Sequence, residues 1–88
     1  MGTQQDAFLA LGMQCSIGDG DVPTDLVSSH KWFNLAAMGG NEDAVRLRRE
    51  IAALMSNAEI GAAQRAARDF IKQNPGVIQP AARMNAAA

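Results

Sequence analysis

Few side chains in this sequence could carry bond-making chemistry, and each stands alone. Cys15 is the only cysteine and His30 the only histidine, and tyrosine is absent. Cys15 falls on an inward helical stripe, where a small buried thiol is expected in place of a nucleophile. His30 has no partner at metal-ligand or catalytic-triad spacing, so an exposed, uninvolved imidazole is expected. Gly18-Asp19-Gly20-Asp21 has the look of a calcium loop. It lacks the remaining spaced oxygen ligands and the closing bidentate glutamate. It is no phosphate loop either, since no Lys-Ser/Thr ending follows it and no strand precedes it. Asp21 and Asp25 flank this run, but nothing implies the cleft that a working carboxylate pair needs. The expectation is therefore a protein that is not an enzyme, with no catalytic residue, no metal and no cofactor.

The elements around these residues are helical. Spacing predicts a first helix from Thr3 to Ile17, with Ala7, Phe8, Leu11, Gly12 and Cys15 on one side. Gly12 weakens a helix interior, so close packing against a neighbour is expected there. Leu9, Met13 and Ile17 form a second apolar stripe nearly opposite, although a surface helix ordinarily has one apolar face. Gly18 to Pro23 is a turn. A second helix begins at Thr24 or Asp25 and stops at Gly39-Gly40, burying Leu26, Ser29, Trp32, Phe33, Ala36 and Ala37. Trp32 is the expected core anchor, while His30, Lys31, Asn34 and Met38 are expected to face outward.

Asn41 can cap a third helix, with Glu42 and Asp43 in its first turn, where the helix dipole favours acids. Ala44, Leu47, Ile51, Leu54 and Met55 make one stripe there, and Arg46, Arg49 and Glu50 face water. Ser56 to Glu59 reads as a capping box that opens a fourth helix ending near Gln73. Ile60, Ala63, Ala67, Phe70 and Ile71 point inward, and Arg65, Arg68, Asp69 and Lys72 outward. Residues 74–88 contain Pro75, Pro80 and many alanines without a period, and are expected to be a mostly disordered tail.

The spacing of residues 7–44 resembles the Sel-one-like repeat family, a relative of the tetratricopeptide repeat. Ala7, Leu11, Gly12, Gly18, Gly20, Val22, Asp25, Trp32, Ala36, Ala37, Gly40 and Ala44 match its pattern in order. Cys15 stands where the family has an aromatic and Ser29 where it has alanine, two changes expected to loosen the core. Asp21 lengthens the turn. A continued repeat would want Leu-Gly at Arg48-Arg49, so the second unit is degenerate and cap-like. The resemblance implies an all-α fold of two antiparallel helical hairpins, a tetratricopeptide-like α-α superhelix, in a single domain over residues 3–73. It also implies a structural core of Leu11, Gly12, Trp32, Ala36, Ala37 and Ala44. By position, the family's partner-binding groove falls on Asp6, Leu9, Met13, Ser16 and Ile17.

With 88 residues, the chain is sized for one small domain. One cysteine excludes an intramolecular disulfide scaffold. No apolar run is long enough to span a bilayer, no secretory signal is visible, and Asp6 occupies the position where myristoylation of Gly2 would want Ser or Thr. A soluble cytoplasmic protein is expected. Charge is uneven: Asp6, Asp19, Asp21, Asp25, Glu42 and Asp43 face Lys31 alone in the first half, whereas Arg46, Arg48, Arg49, Arg65, Arg68, Lys72 and Arg83 dominate the second.

Three roles compete for the Leu9/Met13/Ile17 stripe. It is a groove for a protein or peptide, a homodimer seam, or ordinary core covered by another part of the chain. The leading reading is a protein-interaction module, a small adaptor or scaffold, with self-association as the alternative. Nucleic-acid binding by the basic third and fourth helices ranks last, because the chain is slightly acidic overall and its aromatics are assigned to the core.

Overall fold

A computed structural model describes residues 4–18 and 23–78. It is all-α. The helices are α1 Gln4–Ile17, α2 Leu26–Met38, α3 Glu42–Ala52 and α4 Asn57–Gln73. Asp19, Gly20, Asp21 and Val22, the centre of the expected turn, lie outside the described residues, as do Thr3 and residues 79–88.

Local chemistry sets the helix ends. The Asp25 carboxylate accepts from the Ser28 amide at 3.0 Å and from the Ser28 hydroxyl at 2.7 Å, which starts α2. These bonds hold its carboxyl below the ordinary aspartate range. The Asp25 amide donates back to the Cys15 carbonyl at 2.9 Å, tying the two ends of the turn together. At the other end of α2, the amides of Gly40 and Asn41 return to the carbonyls of Ala37 and Ala36, both at 3.0 Å. Gly40 reaches this geometry at φ +105°, open to glycine and strained for other residues. Asn41 then accepts from the Ala44 amide at 2.9 Å and opens α3. Ser56 and Glu59 form the expected reciprocal box at the head of α4.

Helix α2 is the hub, packing along α1, α3 and α4, which are the close helix pairs. The α1/α2 pair is the expected first hairpin. Helices α3 and α4 make at most sparse contact with each other and lie separately against α2, so the second hairpin does not close. The all-α class stands.

A hub helix cannot keep one face in water. Ser29, His30, Phe33, Leu35 and Ala36 of α2 are all buried, around most of its circumference. This overturns the expected outer position of His30, which is only 3% exposed. Phe33 and Leu35 are the largest apolar side chains fully enclosed. Trp32 is half-buried; it stacks on Phe8 at 5.5 Å and meets Phe70 edge-on at 5.3 Å, joining α1, α2 and α4. Lys31 Nζ covers its ring at 4.0 Å.

The expected core residues Gly12, Ala36 and Ala44 are buried, and Ala37 packs against the core. Leu11 is not among them; at 37% exposed it lies on the surface. The reason is the interlock of α1 with α2. A Cβ on Gly12 would lie 2.5 Å from Phe33 Cδ1, so the helices meet at residue 12. Successive helical residues turn by about 100°, which carries Leu11 to one flank of that contact and Met13 to the other. Ser29 tightens the pair in place of loosening it, because its hydroxyl donates to the Gly12 carbonyl at 2.8 Å. Leu54 is also misplaced by periodicity. Helix α3 ends at Ala52, the chain turns, and Leu54 is left 71% exposed. Val77 and Ile78, expected in the tail, pack against the core, so the packed chain continues past Gln73.

Candidate partner-binding face

Helix α1 packs along α2 and meets α4 through Phe8, whose ring lies edge-on to Phe70 at 5.8 Å. Its inward side is Phe8 and Gly12, flanked by the half-buried Gln5, Leu9, Cys15 and Ser16. Its other side is exposed and nearly free of charge: Ala7, Ala10, Leu11, Met13 and Ile17 lie there beside Gln4, Asp6 and Gln14. Met13 is 44% exposed and Ile17 73%. A surface helix ordinarily turns charged residues to this side. On α1 the only charged residue is Asp6, in the first turn.

The five expected groove positions divide between the two sides. Asp6, Met13 and Ile17 share the exposed strip, spaced along α1 at helical intervals. Leu9 turns inward and packs against the core. Ser16 is half-buried and spends its hydroxyl on the Met13 carbonyl at 2.8 Å. Periodicity gave no sign that Ala7 and Leu11 belong to the exposed side, since it put both on the inward stripe. Only the Gly12–Phe33 contact sets that rotation.

At the N-terminal end of α1 the strip runs into an open depression of about 480 Å³, lined by Gln5, Asp6, Gly39, Gly40, Asn41, Glu42 and Asp43. Three of these seven are acidic and none is basic, so the mouth has negative potential. Gln5 lies across Gly39 so closely that a side chain there would collide with it.

The other chemical candidates resolve individually. Burial, then the nearby Asp25 carboxylate, pushes the Cys15 thiol up, which keeps it protonated at neutral pH. Among the described residues, no group of three or more His, Cys, Asp or Glu side chains could hold a metal ion. No described helix is long and apolar enough to cross a membrane. Arg65, Arg68 and Lys72 are exposed on α4, interrupted by the exposed Asp69. Comparison with protein-family models, curated proteins and solved structures finds no match to the chain.

Proposed function

We propose that the protein is a non-enzymatic interaction module that binds a helical segment of a partner protein along the outer face of α1. The observation that carries this reading is the apolar character of that face, with Leu11, Met13 and Ile17 all exposed on a helix whose only charge is Asp6. Association there removes apolar area from water. The size of the strip argues for its occupant. Fourteen residues of α1 span about 21 Å at 1.5 Å per residue, room for one helix laid alongside. A standard interface wants about 800 Å² per partner, more than one short helix face supplies, so a single partner helix fits better than a second copy of this chain. Met13 suits such a surface because its unbranched thioether adapts to different partners. The Sel-one-like spacing of residues 7–44 supports the same reading, and a cytoplasmic setting is consistent with the lone thiol of Cys15.

Light scattering over a concentration series, combined with fluorescence anisotropy against a panel of amphipathic helical peptides and scrambled controls, tests the proposal. Wild type is expected to remain monomeric and to bind helical peptides with apolar residues at i, i+3, i+4 and i+7. Met13→Glu is expected to stay folded and lose that binding. A dimer that Met13→Glu dissociates would assign the face to self-association instead. A Met13→Glu variant that unfolds, or that binds as wild type does, would overturn the reading.

A further inference from the structure

The buried face of α2 holds a titratable group that the proposed binding face does not use. His30 is 3% exposed, and its Nδ1 is buried without a hydrogen-bond partner. One turn further along α2, Asn34 accepts a 2.6 Å hydrogen bond from the Arg48 guanidinium of α3. His30 and Asn34 therefore lie on one side of α2, and Arg48 bears on both. Helix α3 has 11 residues and α2 as its close packing partner. A helix that short does not persist in water without tertiary support.

We propose that His30 makes the seam between α2 and α3 acid-sensitive, so that protonating its imidazole releases α3 from the rest of the fold. The neutral ring sits in the seam without cost to Arg48. The protonated ring would be a desolvated cation beside a second cation. Arg48 of α3 is the charged group that bears on the ring. Burial first, and Arg48 second, hold the imidazole below its ordinary range.

The direction of the effect follows from proton counting. Above about pH 6.5 the ring is neutral in both the folded and the unfolded chain. Below that value the released or unfolded ring takes a proton that the packed ring refuses. Stability is lost as pH falls from 6.5 toward the depressed folded value, at up to tenfold in the opening constant per pH unit. Release would also dismantle the acidic depression, to which α3 contributes Glu42 and Asp43.

His30 is the only histidine, so its ring signals in a proton–carbon NMR titration are unambiguous. Hydrogen exchange at pH 7 and pH 5, corrected for intrinsic rates, reports the opening of each helix. The expected result is a ring pKa below 6.5 and an opening constant for α3 at least several-fold larger at pH 5, with α1 and α2 unchanged. Arg48→Met is expected to raise the ring pKa toward 6.5. His30→Gln is expected to remove the pH dependence of α3 exchange; if that variant does not fold, the wild-type titration and Arg48→Met still decide. A ring that titrates at or above 6.5 with equal α3 protection at both pH values would overturn the proposal, as would equal acid loosening of all four helices.

Discussion

The ring of Phe33 occupies the space that any side chain at residue 12 would need. A Cβ on Gly12 would fall 2.5 Å from Phe33 Cδ1 and 2.6 Å from Cε1, well inside van der Waals contact. Glycine is thus required by packing, since a residue in the middle of α1 has ordinary helical backbone. The same approach brings the Gly12 carbonyl within reach of Ser29, whose hydroxyl would otherwise be buried unpaired.

Gly12→Ala is expected to destabilise the fold. Overpacking costs about 1–3 kcal/mol, against about 1 kcal/mol recovered in helix propensity. A net loss of about 1 kcal/mol lowers the Tm of a domain this size by roughly 4–8 °C, measurable by circular dichroism. An unchanged or higher Tm would show that α1 and α2 can separate without cost.

Trp32→Ala removes one of three mutually packed rings, Phe8, Trp32 and Phe70, and should cost about 3 kcal/mol, the lower end for such truncations because Trp32 is half-buried. At about 0.05–0.15 kcal/mol per residue, that is a large share of the stability of a chain of 88 residues, and the Tm should fall steeply. Trp32→Phe should retain the fold with a lower Tm. Urea denaturation followed by far-ultraviolet circular dichroism distinguishes the three proteins, and a Trp32→Ala variant that melts like wild type would contradict the packing described.

Asp25→Asn is expected to keep α2 capped at neutral pH, since Asn and Asp cap comparably. Its effect should appear in acid. The folded Asp25 carboxyl lies below 3.8, so its contribution is full above the unfolded value and disappears as pH falls through the folded one. Stability measured from pH 5 to pH 2 should fall less in Asp25→Asn than in wild type. Identical profiles would mean that the Ser28 bonds do not favour the charged form. Repeating the pair of profiles in a His30→Gln background separates this effect from that of the imidazole.

Ile17→Lys and Leu54→Gln should each change stability by less than about 0.5 kcal/mol, because both side chains are more than 70% exposed. The comparison matters most for Leu54, which apolar spacing alone would place inside. A loss of 2 kcal/mol or more at Leu54, by denaturant titration, would restore it to the core.

The expected starts of α2, α3 and α4 agree with the structure because each depends on residues within four positions of one another. Asp25 with Ser28, Asn41 with Ala44, and Ser56 with Glu59 are short-range pairs whose geometry follows from residue type. Gly12 was legible as a close approach for the same kind of reason: a glycine inside a helix lowers stability unless a neighbour needs its space. The burial of His30 and the half-buried position of Asn34 were not legible. Periodicity assigns polar residues to water, and nothing local reports that a third helix covers them.

Residue types along the chain were enough to show that it is helical, where α2, α3 and α4 start, and that residue 12 touches a neighbour. Those properties arise from backbone hydrogen bonds and side chains that are close along the chain. Tertiary structure decided the rotation of α1 about its axis, which exposes Leu11, Met13 and Ile17 and turns Leu9 inward. It also decided that α2, and not a pair of equal hairpins, is the centre of the fold. Both follow from contacts between residues distant in sequence, Gly12 with Phe33 and Asn34 with Arg48, whose pairing depends on the shape of surfaces that exist only once the helices have met.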